Sequence, residues 1–180
     1  MKLLHFNVDE EKKLSNAKLI IDMVSQFIVI IYTRSGRTKK IGEEIAHELG
    51  CELVEIKDLK SRRGIFGFLR SGMEAMKKML PPIQSPQIDL TLYKTAIVGT
   101  PIWASKMSSP IRSFLVNYCQ KIQSVAFFCT KGGADTIDPF SEMGALVQRT
   151  PIATLALFEQ EIKTNLYQDK LKGFLKQVQQ

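Results

Sequence analysis

Apolar positions along this chain alternate between two rhythms. Gln26 to Thr33 (QFIVIIYT) is a continuous β-branched run, the pattern of a strand buried on both faces. Arg37 to Leu49 follows, with Ile41, Ile45, Ala46 and Leu49 at helical spacing and Gly50 as a stop signal. Cys51 to Lys57 (CELVEIK) alternates as a second strand. Tyr93 to Thr100, Ser124 to Thr130 and Ile152 to Phe158 supply three more. Helical patterns occupy about 109–121, 138–149 and 165–178, the last with Leu166, Leu171, Phe174, Leu175 and Val178 on one side. Five strands separated by helices predict an α/β fold with a doubly wound parallel sheet, because parallel strands need crossovers. Ligands of such sheets bind beyond the carboxyl ends of the strands, at the switch point. Three loops therefore carry the candidate chemistry, those after Thr33, Gly99 and Thr130.

Two segments fall outside the rhythm. Residues 1–23 precede the first strand with weak periodicity and read as an N-terminal arm, leaving 24–180 as the domain. Segment 58–92 is too long for a simple connection. Within it Phe66 to Leu80 predicts a helix stopped by Pro81-Pro82, with its apolar side on the core. Seven basic residues of 57–80 (Lys57, Lys60, Arg62, Arg63, Arg70, Lys77, Lys78) face two acidic ones (Asp58, Glu74), most of a net charge of +7. That balance admits acidic partners or an anionic surface without selecting one.

Composition narrows the class. With 44% hydrophobic and 24% charged residues among 180, the chain is globular rather than disordered or fibrous. Three cysteines (Cys51, Cys119, Cys129) without paired spacing argue against a disulfide framework or zinc site, and each reads as a packed residue. His5 and His47 are far apart, and His47 reads as solvated. The longest apolar run, Phe27 to Tyr32, is too short to span a bilayer, and the charged N-terminus lacks a signal peptide's apolar stretch. A cytoplasmic protein is expected.

The first loop is Thr33-Arg34-Ser35-Gly36-Arg37-Thr38, between a buried strand and a helix. Such a turn aims unpaired N–H groups and the positive end of the helix dipole at one point. Gly36 lets the backbone come close, and the hydroxyls of Thr33, Ser35 and Thr38 can donate to phosphate oxygens. The loop lacks the glycine patterns of triphosphate and dinucleotide sites, which suits one terminal phosphate. Simple helix capping by Ser35 or Thr38 is the alternative. The second loop is Gly99-Thr100-Pro101-Ile102-Trp103-Ala104-Ser105, with the only tryptophan of the chain. Its indole either stacks on a flat heterocycle or anchors the loop in the core. The third loop, Thr130-Lys131-Gly132-Gly133-Ala134-Asp135, offers a cation and two glycines that permit close approach, or an ordinary turn.

TRSGRTKKIGEEIA after a buried strand resembles the phosphate loop of flavodoxins, of the form T-x-T-G-N-T. GTPIWASKMSSPIRSFL and VAFFCTKGGAD are similar to the second and third flavin loops of flavodoxin-like proteins. The resemblance runs from about residue 26 to the end, with 58–80 least distinctive. It implies a five-stranded sheet in order 2-1-3-4-5 and non-covalent FMN. Carried over by position, it implies that Thr33, Arg34, Ser35, Gly36, Arg37 and Thr38 hold the phosphate. Thr100, Pro101, Ile102, Trp103 and Ala104 would line one side of the isoalloxazine, and Thr130, Lys131, Gly132 and Gly133 its other side or edge. Arg37 stands where the family often has Asn, and Ser35 where it usually has Thr.

The resemblance implies electron transfer or an FMN-dependent oxidoreductase with a redox partner or small-molecule acceptor. Electron carrier, quinone or nitro-compound reductase and protoporphyrinogen-oxidase-like enzyme all stay open, although no extra membrane-binding loop of strong apolar character is expected. Typical electron-carrying flavodoxins are acidic, whereas this chain is basic, so basic reductase surfaces would repel it. A binding module is the other reading, with Lys77, Lys78 and Arg70 on an acidic partner or anionic surface and Phe66 and Phe68 inserting or stacking.

Overall fold

A computed structural model describes residues 26–118, 122–133 and 138–180. The expected arm at 1–23 and Cys119 lie outside these residues, as does the end of the helix expected over 109–121. The described elements run β1 (Phe27–Ile31), α1 (Arg37–Leu49), β2 (Glu52–Glu55), α2 (Gly64–Met76), β3 (Thr95–Trp103), β4 (Lys106–Met107), α3 (Ser109–Tyr118), β5 (Ser124–Lys131), α4 (Pro139–Val147), β6 (Thr154–Phe158), α5 (Glu159–Thr164) and α6 (Gln168–Val178).

The five long strands are parallel in the order β2-β1-β3-β5-β6. Leaving aside the two-residue β4, this is the expected order 2-1-3-4-5. Register is set by runs buried on both faces: Ile28 pairs with Ala96 and Ala96 with Val125. Alternate residues then serve opposite cores. Ile28, Ile30, Val98 and Phe127 pack with Ile111, Phe114 and Met143 of α3 and α4. Val29, Ile31, Ile97 and Phe128 pack with Ile41, Ile45, Leu171 and Phe174 of α1 and α6. Gly99 sits where Phe128 crosses the sheet face. A Cβ there would lie 2.1 Å from the Phe128 ring.

Four expectations need correction. The second loop is shorter than expected, because β3 continues through Pro101-Ile102-Trp103 and turns back on β4, pairing Trp103 with Lys106. The turn residues Ala104 and Ser105 have φ of 45° and 61°, without the glycine or asparagine that normally announces such a turn. The C-terminal helix expected over 165–178 starts at Gln168, because Asn165 in the left-handed conformation caps the short helix before it; Leu166 is left 76% exposed and Tyr167 is buried in its place. The helix expected over 66–80 covers 64–76, with Lys78 in the left-handed region just beyond. The side it buries is formed by Gly67, Ser71, Glu74 and Ala75, so its large apolar residues face outward.

Gly99→Ala forces a methyl group into the Phe128 ring, and overpacking of this kind costs about 1–3 kcal/mol. Urea unfolding should show that loss as a lower midpoint at unchanged slope.

Candidate functional site

The three candidate loops lie at the carboxyl ends of β1, β3 and β5; the second and third share one cleft, and the first opens on a neighbouring one. In the first, Gly36 has φ 86° and caps α1, and its N–H donates to Thr33 Oγ1 at 3.0 Å. The first turn of α1 carries no acidic residue, so its dipole meets no anionic side chain of its own helix. Arg37 forms an ion pair with Glu159, the first residue of α5, at 2.6 Å. Its other guanidinium nitrogen donates to Ser35 Oγ at 3.3 Å. Ser35 therefore accepts from Arg37, and its own proton is left to donate elsewhere. Hydrogen bonding by Lys163, with the charge of Arg37, holds the Glu159 carboxyl below the usual range against the opposing effect of desolvation.

The hydroxyls of three expected site residues make hydrogen bonds within the protein. Thr38 and Thr130 are buried, and their hydroxyls bond to each other at 2.8 Å, joining the first loop to the third. Thr100 is fully buried, and its Oγ1 accepts the Ser108 N–H at 3.0 Å, pinning the β3–β4 hairpin.

Ile102, Trp103, Ala104, Lys131, Gly132 and Gly133 do converge. They line one cleft of about 690 Å³, whose far wall is α2 through Phe68, Leu69, Met73 and Met76. Gly132 and Gly133 adopt no positive φ, and a Cβ at Gly133 would meet nothing within 4 Å. Their missing side chains open the cleft mouth rather than permit a strained turn. Thr33 and Arg34 line a neighbouring cleft of about 610 Å³ with Ile56, Asp58 and Arg62. Arg34 stands between the two: it donates to the carbonyls of Arg62 and Gly64, and its guanidinium lies 5.3 Å from the Phe68 ring centre.

Trp103 is neither a bare wall nor a simple core anchor. Tyr32 meets it edge-on at 5.6 Å, and the Arg62 guanidinium lies 5.2 Å from its ring centre. Burial pushes the Tyr32 hydroxyl above its ordinary pKa, with the nearby Arg62 charge opposing. Lys131 lies over the Phe158 ring at 4.7 Å.

Sequence reasoning missed Arg62, which it counted as one charge in a basic run. Its side chain is 2% exposed and binds Asp58 and Glu74. Ser109 donates to the same Glu74 carboxylate at 2.9 Å, so the network ties α2 to α3. Close packing completes it: a Cβ at Gly67 would lie 2.2 Å from the Arg62 backbone carbon. The one available signal is the i,i+4 spacing of Asp58 and Arg62. His47 is exposed, Cys129 is buried, and burial pushes the Cys51 thiol up to about 11. Among the described residues no cluster of metal-binding side chains exists.

Solved structures share this fold. A flavoprotein from Lactobacillus acidophilus, in complex with FMN, superposes with a TM-score of 0.64 at 23% identity, covering 78% of this chain and 98% of that one. The fold is flavodoxin-like. An NADH:FMN oxidoreductase in its apo form gives a TM-score of 0.53 at 13% identity, over 83% and 86% of the two chains. A flavodiiron core from Synechocystis gives 0.50 at 14% identity, with 93% of this chain matching 41% of that one. No protein-family model matches the sequence, and no curated protein matches it.

Replacing Arg62 by Met leaves Asp58 and Glu74 buried without their main counter-charge. Breaking a buried pair of this kind costs about 3 kcal/mol or more. Arg62→Met should lower the urea midpoint accordingly, and Arg62→Lys should recover only part of it, because an ammonium cannot match the fork.

Proposed function

We propose that the chain binds FMN at the three-loop edge and works as a cytoplasmic FMN-dependent oxidoreductase on an apolar small-molecule acceptor. The observation that carries this reading is the cleft bounded by Ile102, Trp103, Lys131 and Gly132, with the Ser35–Gly36 turn joined to it through the Thr38–Thr130 bond. The FMN bound to the Lactobacillus acidophilus flavoprotein of the same fold supports it. When bound, FMN supplies hydride and single-electron redox chemistry.

The residues present fit that group. Ser35 donates its hydroxyl proton to a phosphate oxygen because Arg37 already occupies its acceptor side. The N–H groups of the first turn of α1 add the anion-binding end of the helix, and no acidic residue in that turn competes. Arg37 is neutralised by Glu159 and serves to orient Ser35 rather than to grip phosphate in the place of the family's Asn. Trp103 and Ile102 present apolar surface to a flat ring, while Gly132 and Gly133 keep the opposite rim low. Lys131, on that rim, places a positive charge that favours an anionic reduced ring. The α2 wall, apolar through Phe68, Leu69, Met73 and Met76, suits an apolar substrate. A net charge of +7 sets the chain apart from an acidic protein-docking shuttle, which favours an enzyme over a carrier.

Trp103 is the sole tryptophan, so its emission reports the cleft directly. Titration with FMN should quench it and yield a yellow protein that NADH or NADPH reduces. Ser35→Ala should weaken FMN about tenfold, the equivalent of one hydrogen bond to a charged group. A protein that stays colourless with unchanged Trp103 emission overturns the reading.

A further inference from the structure

We propose that α2 docks the protein on an anionic bilayer surface, lying in the interface plane with its apolar side in the lipid. The helix is amphipathic in the reverse sense. Its small residues face the protein, while Ile65 and Phe66 of its first turn are 77% and 88% exposed. Phe68, Leu69, Met73 and Met76 continue the exposed side, and Leu59, Met79 and Leu80 are exposed in the flanking chain. Single exposed apolar residues are ordinary, but nine such residues within 59–80 form a patch that marks an interaction site.

Charge selects the occupant. Both acidic residues of 57–80, Asp58 and Glu74, are turned inward and bound by Arg62. Lys57, Lys60, Arg63 and Lys77 of the same segment remain exposed, Lys77 on the cleft that α2 walls and the other three on the neighbouring one. The surface is thus apolar with a cationic border and no exposed acid from its own segment, the combination that binds anionic lipid. A second copy would bring two such borders together and be repelled. Side chains that protrude as far as Ile65 and Phe66 suit a soft medium that closes around them. At 13 residues α2 is about 20 Å long, too short to cross a bilayer, and no described helix is long and apolar enough to do so. The same Phe68, Leu69, Met73 and Met76 line the cleft, so its mouth opens at the depth of the interface.

The test is sedimentation of the full chain with vesicles of phosphatidylcholine alone and with about one third phosphatidylglycerol. Binding is expected only to the second, and it should weaken at high salt. Ile65→Ser with Phe66→Ser should reduce binding at least tenfold, and Lys60→Glu with Arg63→Glu should do likewise. Both double variants should keep the wild-type melting temperature, since all four residues are exposed. Absence of binding to anionic vesicles overturns the proposal. So does equal binding by the Ile65/Phe66 variant, which marks a charge contact that any acidic partner satisfies. A dimer abolished by that variant, without vesicle binding, assigns the face to a second copy instead. FMN uptake is read separately and does not enter this outcome.

Discussion

The guanidinium of Arg62 decides the shape of the ligand edge. It sits beneath α2 with its side chain 2% exposed, between the carboxylates of Asp58 and Glu74, and lies over the face of Trp103. A lone charge at such depth would carry a desolvation cost of several kcal/mol, and only close ionic partners offset it. Asp58 precedes α2 and Glu74 lies in its last turn, so satisfying Arg62 fixes the helix at both ends. Gly67 lets the helix backbone come down on Arg62, and any side chain there would collide with it. Arg62, with Arg70 beside the same two carboxylates and Ser109 on Glu74, therefore ties α2 to the chain before it and to α3.

Its reversed amphipathicity follows from the same constraint. The side of α2 that meets Arg62 must be small or acidic, so Gly67, Ser71, Glu74 and Ala75 turn inward. The large residues are left to line the cleft or face outward. The burial of Asp58 and Glu74 also removes their charge from the surface, and the segment presents its lysines with little internal compensation. Cleft wall, apolar patch and cationic border are three consequences of one packing choice.

This explains what could be read along the chain. Strands such as FIVII and the core of β5 are legible because continuous apolar runs require burial on both faces wherever they sit. The three loops are legible because topology places them at one edge. The packing of α2 is not legible, since its amphipathic pattern assigns the large side chains to the core, and only the tertiary pairing of Arg62 with Asp58 and Glu74 reverses that assignment. The hairpin at Ala104-Ser105 escapes for a different reason. Its left-handed residues are held by the bonds of Thr100 to Ser108 rather than by local preference. Thr100, Thr38 and Thr130 look like ligand-binding hydroxyls in sequence, yet each closes a bond inside the protein.

Trp103 joins these levels. Tyr32 holds one edge of its indole and Arg62 covers a face, so its ring is fixed by the same charge that fixes α2. A ligand that moved the indole would disturb the cation–π contact and, through Arg62, the helix that walls the cleft. The loop at 99–105 and the helix at 64–76, which the sequence keeps apart, share Arg62 as a common contact: its guanidinium lies over Trp103 and binds Glu74 of the helix.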